Sequence, residues 1–360
     1  MQVPSYRQDP LDPTRPAGLI LCGMGGPDGP DDVQPFLRNL FSDSRIIPLP
    51  RWLAPTVARL IARRRAPAVR ARYAMIGHGG GSPQLPTTRR QAERLADLAA
   101  ARGVTWLPAA AMRYWHPYPD ETITGLRARG ATQYVVTPTY PQYADATSGS
   151  TLEFVLDALA RLHPEAAVHV LPDWPTLPGL VASLSAAATA AVRGWIEAAA
   201  DPEDCALLFV AHSLPKKFVD AGDPYPGQAR DTVAAVHADL RARLAGHEAW
   251  LDRMPGGADP LLAFQSRVGP IAWLGPDVPD ETRRLAAAGC RRLHVQPVSF
   301  TCEHIETLHE LDIELREEAQ DAGVTEFSRG SALNLDDGWL DALSSHLLRR
   351  AYGEEVAGRD

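Results

Sequence analysis

Two segments carry residue types that could do chemistry. Ala211-His212-Ser213-Leu214-Pro215 places an imidazole directly after the apolar run Cys205–Val210. Near neutral pH a neutral imidazole accepts a proton or ligates a metal. For a lone histidine, a loop residue satisfied by backbone groups is the commoner outcome. The turn Gly222-Asp223-Pro224-Tyr225-Pro226 follows shortly and favours a built site without identifying it. The second segment runs from Phe300 to Glu314, and in it Glu306, Glu310 and Glu314 recur at i, i+4 and i+8. A helix puts all three on one stripe. Like charges at that spacing repel by about 0.2–0.5 kcal/mol per pair. No basic residue relieves them, because Leu308, Leu311 and Ile313 are apolar. A solvated acidic face is the plain alternative, although a helix N-terminus favours only its first members. A cation-conducting ladder accounts better for the third carboxylate. Glu303 and His304 add an oxygen and a nitrogen donor at the entrance, a set suited to a divalent first-row metal. On spacing alone the two accounts stand level.

The elements that must hold these residues alternate. Gly18–Cys22, Tyr134–Thr137, Ala167–Leu171, Cys205–Ala211, Leu261–Gln265 and Arg292–Pro297 read as strands. Gln91–Arg102, Thr151–Leu162, Leu180–Ala200, Ala229–Gly246, Glu281–Ala288 and Ile305–Ala322 read as helices. Such alternation predicts an α/β protein with parallel sheets flanked by helices. Ligands of open α/β sheets bind beyond the carboxyl ends of strands, where His212 falls. Glu121–Tyr140 and Glu281–Phe300 share an order: helix, glycine, strand, proline, aromatic. Gly130 to Pro138 and Gly289 to Pro297 have equal spacing. This points to two related halves, about 16–175 and 176–330, with a C-terminal helix in 331–352 packing back on the body. The match is short, and chance recurrence is the competing account.

Composition sets the outer bounds. The 360 residues are 45% hydrophobic and 22% charged, as in folded soluble proteins. A formal charge of -8 argues against a nucleic-acid partner, which needs a positive surface. No stretch is expected to approach the roughly 18 apolar residues that span a bilayer. Met1 to Pro16 lacks the apolar core of a signal peptide, so a cytoplasmic location is the default. Cys22, Cys205, Cys290 and Cys302 form no C-x-x-C pair, which leaves a disulfide framework or structural zinc unsupported. Gly25-Gly26-Pro27 and Gly79-Gly80-Gly81-Ser82-Pro83 fit no nucleotide-binding pattern; they suit close backbone approach or positive φ. Arg59, Arg63, Arg64, Arg65, Arg70 and Arg72 crowd one segment. A solvated helix face is the commoner reading, and ligand carboxylates or anionic lipid headgroups the other.

Taken together, the motifs resemble the ferrochelatase family from about Gly18 to Leu348. Met24-Gly25-Gly26-Pro27, Phe36 to Asp43, Gly79 to Pro83, Met112-Arg113-Tyr114-Trp115-His116-Pro117 and Tyr140-Pro141-Gln142-Tyr143 carry the N-terminal part. Ala211 to Pro215, Gly222 to Pro226, Gln265 to Pro270, Trp273-Leu274-Gly275-Pro276 and His304-Ile305-Glu306-Thr307-Leu308 carry the rest.

The resemblance implies a chelatase fold of two Rossmann-like halves enclosing a porphyrin cleft. It implies a lyase that inserts Fe(II) into a porphyrin, the terminal step of heme biosynthesis. By position His212 and Glu306 are the catalytic pair. Metal contacts fall to His212, His304, Glu306, Glu310 and Glu314, the last two on a helix of widened register. Porphyrin contacts fall to Met24, Arg113, Tyr114, Trp273 and Phe300. Insertion needs the ring bent, two N–H protons removed and the iron partly dehydrated, and a distorting cleft lowers that barrier. His212 is favoured as proton acceptor, with the carboxylates bringing iron.

Two departures stand out. His309 replaces an aromatic beside the ladder. No cysteine follows Cys302, so no Fe–S cluster and no cofactor beyond substrate Fe(II) is expected. Met24, where coproporphyrin users tend to carry tyrosine, and the run Leu40–Asp43 favour protoporphyrin IX. A coproporphyrin enzyme, another tetrapyrrole chelatase and a non-enzymatic porphyrin or heme carrier are the alternatives. Peripheral membrane contact fits a hydrophobic substrate and the arginine-rich segment, whereas oligomeric state is not legible.

Overall fold

The computed structural model describes residues 3–47, 50, 52–267, 269 and 271–358. Val268 and Pro270 of the Gln265 to Pro270 motif, and Met1 and Gln2, lie outside them. The described chain divides into two compact units, one of residues 3–173 and 343–358, the other of 174–342.

The first unit is built on a parallel four-stranded sheet in the order β2-β1-β3-β4. The strands are β1 (Ala17–Gly23), β2 (Trp106–Met112), β3 (Gln133–Pro138) and β4 (Ala167–Val170). Every residue of β1 and β3 is buried. That is why Leu19–Cys22 and Tyr134–Val136 read as continuous apolar stretches rather than alternating ones. Ile20, Cys22, Tyr134, Val136 and Val168 pack against Ile123, Leu126, Leu152, Val155 and Leu159 of the helices Pro119–Ala128 and Ser150–Leu162. The two glycine loops interlock. Gly25 sits at φ 82°, and a side chain at Gly81 would come within 2.2 Å of the Asp28 carbonyl. Ser82 N donates to Pro27 O at 2.8 Å.

The second unit repeats the plan with order β6-β5-β7-β8, again all parallel. Its strands are β5 (Cys205–His212), β6 (Leu261–Gln265), β7 (Arg292–Pro297) and β8 (Glu326–Arg329). Leu208, Val210, Ala263, Leu293 and Val295 form its core with Val278, Leu285, Leu311 and Leu315.

Two strands escape the sequence reading, β2 and β8, and both are sheet edges. β2 has Pro108 and three alanines, and proline is tolerated at an edge. β8 is four residues with two charges. The helix expected from Gln91 starts at Gln84, because Pro86 lies in the first turn, where a missing N–H costs nothing. The helix Pro178–Glu197 corrects the expectation about membrane-spanning length: it averages a mean hydropathy of 1.3 over 18 residues and is long and apolar enough to cross by composition. Alanines raise that average. One face, Leu180, Leu184, Ala188, Val192 and Trp195, is buried in the unit, as in a core helix.

Candidate functional site

His212 is the last residue of β5, so its side chain emerges at the carboxyl edge of the second sheet. Its Nδ1 lies 2.6 Å from Ser213 O. A carbonyl only accepts, so Nδ1 carries the hydrogen and Nε2 is left as the basic nitrogen. The surrounding loops are stitched in place. Ser213 N donates to Gln265 O at 2.8 Å, Leu274 N to Leu214 O at 2.9 Å, and Lys216 N to Ala272 O at 2.8 Å. Trp273 bridges to Pro215 within this weave. The turn Gly222 to Pro226 anchors the strand end. Asp223 Oδ1 accepts from Tyr225 N at 2.9 Å, and Tyr225 Oη donates to the His212 carbonyl at 2.8 Å.

A run of rings leads away from His212. Phe300 meets it edge-on at 6.3 Å between centroids, and His304 lies 5.0 Å beyond Phe300. Burial, together with the nearby His212, pushes the His304 imidazole down to about 4, so it is neutral at pH 7. Cys302 Sγ lies 3.2 Å from His304 Nε2.

Two residues on, Glu306 opens a ten-residue π-helix, Glu306–Leu315, continued by the α-helix Arg316–Asp321. The widened register implied by the resemblance is therefore present. π-Segments of this kind collect at functional sites. Burial, reinforced by the charge of Glu310, raises the Glu306 carboxyl to about 7. The two carboxylates are held differently. Glu310 Oε2 accepts from Ser266 Oγ and, at 3.1 Å, from Gln265 Nε2, which also donates to Glu306 O at 2.8 Å. Ser266 adopts φ 68°, a conformation costly for a non-glycine residue, and that turn brings its hydroxyl onto Glu310. Further along, His309 is 4% exposed, with Nδ1 3.6 Å from Glu314 Oε1. Among the described residues no group of three or more His, Cys, Asp or Glu side chains gathers closely enough to hold a metal ion. The carboxylates are strung along a helix, not closed into a cage.

Met24, Arg113 and Tyr114 belong to the first unit. Met24 follows β1, and its N–H donates to Tyr140 Oη at 2.9 Å. Arg113 Nη2 and Tyr114 Oη both reach Asp43 Oδ2, at 2.8 and 2.9 Å. Burial alone would raise Asp43, but the Arg45 amide and these two donors hold it below the usual carboxylate range. The Arg113 guanidinium lies 4.4 Å from the Phe154 ring centroid. Asn39, Asp43, Arg113, Tyr114 and Tyr118 line a cavity of about 550 Å³. Sequence reasoning assigns no role to Tyr225, Gln265 or Ser266, although all three fall within its motifs. A tyrosine two residues after an aspartate in a proline turn, and a polar pair closing an apolar strand, are the signals that could have found them.

Sequence comparisons bear on the class. The ferrochelatase family profile matches residues 16–351. A ferrochelatase of Thermosynechococcus vestitus is 40% identical over 332 residues, covering 91% of this chain and 80% of its own. One from Caulobacter vibrioides is 40% identical over 334 residues, covering 92% and 89%. SirB from Bacillus subtilis, solved with Fe3+, aligns at a TM-score of 0.46 and 13% identity over 76% of this chain and 92% of that one. The protein is thus a metal chelatase of parallel α/β architecture. More narrowly, the chain belongs to the ferrochelatase family, lyases that insert ferrous iron into a porphyrin for heme synthesis.

Proposed function

We propose that the chain metallates protoporphyrin IX, with His212 as proton acceptor and the Glu306–Glu310–Glu314 stripe as the route of the substrate iron. The observation that carries this reading is the contiguous path within one unit: His212, Phe300, His304, then the π-helix that begins at Glu306. Nε2 of His212 takes a pyrrole proton while Nδ1 stays bound to Ser213 O. Glu306, raised toward neutrality, exchanges its proton for the arriving cation, and Glu310, held by two neutral donors, stands behind it. His304 offers a neutral nitrogen beside them. Met24, Arg113, Tyr114, Trp273 and Phe300 contact the macrocycle in this reading. Met24 in place of a tyrosine supports protoporphyrin over coproporphyrin. The reading includes no Fe–S cluster, and iron and acid-labile sulfide analysis of the purified chain checks it.

A membrane contact belongs to the same proposal. Trp52 is 80% and Leu60 68% exposed, and Arg59, Arg63 and Arg64 are exposed on the helix Ala54–Met75. Apolar side chains among arginines suit an anionic bilayer surface. The deciding experiment follows loss of porphyrin fluorescence on adding Fe(II), with protoporphyrin and coproporphyrin, for wild type, His212→Ala and Glu306→Gln. Faster loss with protoporphyrin and failure of both variants support the reading. Variants that insert iron as fast as wild type remove the site assignment.

A further inference from the structure

We propose that Arg329 is a positioning residue that locks the Glu306–Leu315 π-helix in register, by gripping Asp312 inside that helix and Glu303 just before it. Arg329 ends β8, and its side chain is 8% exposed. Its guanidinium makes four hydrogen bonds. Nε and Nη2 donate to Oδ1 and Oδ2 of Asp312 at 2.8 and 2.7 Å, a bidentate pair. Nη1 donates to Glu303 Oε1 at 3.1 Å and to Gly330 O at 2.9 Å. Glu303 then carries the grip to the helix entrance. Its Oε1 also accepts from Ala332 N at 3.0 Å, and its Oε2 accepts from Thr307 Oγ1. The same Thr307 hydroxyl oxygen accepts from His304 N at 3.0 Å. One guanidinium thereby ties the residues on either side of Glu306 to a point further along the helix.

A helix of this width needs such a clamp. π-Hydrogen bonding rarely persists beyond a single turn, whereas this segment runs ten residues. Something outside its backbone must keep it from tightening to α, and a bidentate charged bond at mid-helix opposes the rotation that tightening requires. Without Arg329, Asp312 and Glu303 would be two poorly solvated carboxylates lacking their shared cation. Arg316 is no replacement for it, standing 4.0 Å from Asp312 with its side chain 40% exposed. Lysine is a poor one, because a point charge cannot serve both carboxylates in one plane. β8 grips the helix a second time, through Arg316 Nη1 donating to Phe327 O at 3.0 Å.

The consequence for activity rests on the reading of Glu306, Glu310 and Glu314 as the iron route, since a change of register would turn those side chains out of line. The test pairs a register readout with a metal readout. Hydrogen exchange by mass spectrometry on full-length Arg329→Gln should show amides of 306–315 exchanging about tenfold faster, with other core segments unchanged. Anaerobic kinetics should show KM for Fe(II) raised about tenfold and KM for protoporphyrin within about twofold of wild type. Arg329→Lys should fall between the two. Faster exchange with an unchanged Fe(II) KM sustains the clamp and removes the iron-route reading. Wild-type exchange across 306–315 overturns the clamp. If Arg329→Gln does not fold, Asp312→Asn, which leaves Arg329 its hold on Glu303, is measured the same way, and unchanged exchange there overturns the proposal equally.

Discussion

The Tyr225 hydroxyl donates to the backbone carbonyl of His212 at 2.8 Å and lies 3.0 Å from Ser299 Oγ. A side chain brought in by a proline turn thus fixes the strand end that presents the imidazole. Tyr225→Phe keeps the ring and removes the bond, leaving a partly buried carbonyl without that donor. The expected cost is about 1–3 kcal/mol of stability, read by urea denaturation. Iron insertion should slow about tenfold in kcat while porphyrin KM holds, because orientation is lost and binding is not. An unchanged kcat would show that His212 does not depend on this anchor.

Glu306 gives a pH signature. Its carboxyl sits at about 7 in the folded chain against an ordinary 4.5. Between those values the native state holds a proton that the unfolded chain has released. Its contribution is fully present below about 4.5 and is lost as pH rises through about 7. Glu306→Gln cannot titrate, so its stability relative to wild type should be higher at about pH 8 than at about pH 5. Denaturation midpoints at the two pH values decide it, and an equal difference at both would refute the raised carboxyl.

Acid should act elsewhere in the same unit. His294 is buried in β7, with Nδ1 2.8 Å from Ser328 Oγ, and desolvation lowers it to about 4. Below its ordinary 6.5 the unfolded chain takes up a proton first, so stability declines as pH falls from about 6.5 to about 4. His294→Gln should flatten that limb of the stability profile. A limb as steep as wild type would place the acid sensitivity in other groups.

Gln265 and Ser266 both donate to Glu310 Oε2. Ser266→Ala leaves the turn and removes one donor. KM for Fe(II) should rise about threefold to tenfold, with porphyrin affinity by fluorescence titration unchanged. Ser266→Gly also loses the hydroxyl but is at ease at φ 68°, so it should be the more stable of the two while showing the same metal defect. Wild-type Fe(II) KM in both would free Glu310 from dependence on this donor.

Vesicle flotation tests the exposed arginines. Arg59→Gln, Arg63→Gln and Arg64→Gln together should weaken binding to phosphatidylserine vesicles by about 1 kcal/mol per charge, and added salt should mimic the substitutions. Equal recovery on neutral vesicles would point to Trp52 and Leu60 alone.

The interior of the fold was legible in the sequence because its strands are buried on both faces. β1, β3 and β5 announce themselves through short apolar runs, and β7 through the alternation Arg-Leu-His-Val-Gln-Pro. Edge strands face fewer demands, and Trp106–Met112 and Glu326–Arg329 gave no such signal. The spacing of Glu306, Glu310 and Glu314 pointed to a helix, and a helix of π register lies there. The tie from Arg329 to Asp312 and Glu303 was hidden, because it comes across the sheet edge from a strand that periodicity missed. Likewise Tyr225 acts on His212 through a main-chain oxygen, and side-chain types cannot announce a bond to backbone.

The two sheets share more than their strand order. Cys22 pairs with Pro138 in one, and Val210 with Pro297 in the other. Counting two residues on from each reaches Met24 and His212, so a thioether and an imidazole fill the same slot of matching frameworks. The same frame is thus used twice, with a basic nitrogen just past one copy of the strand pair and a thioether just past the other.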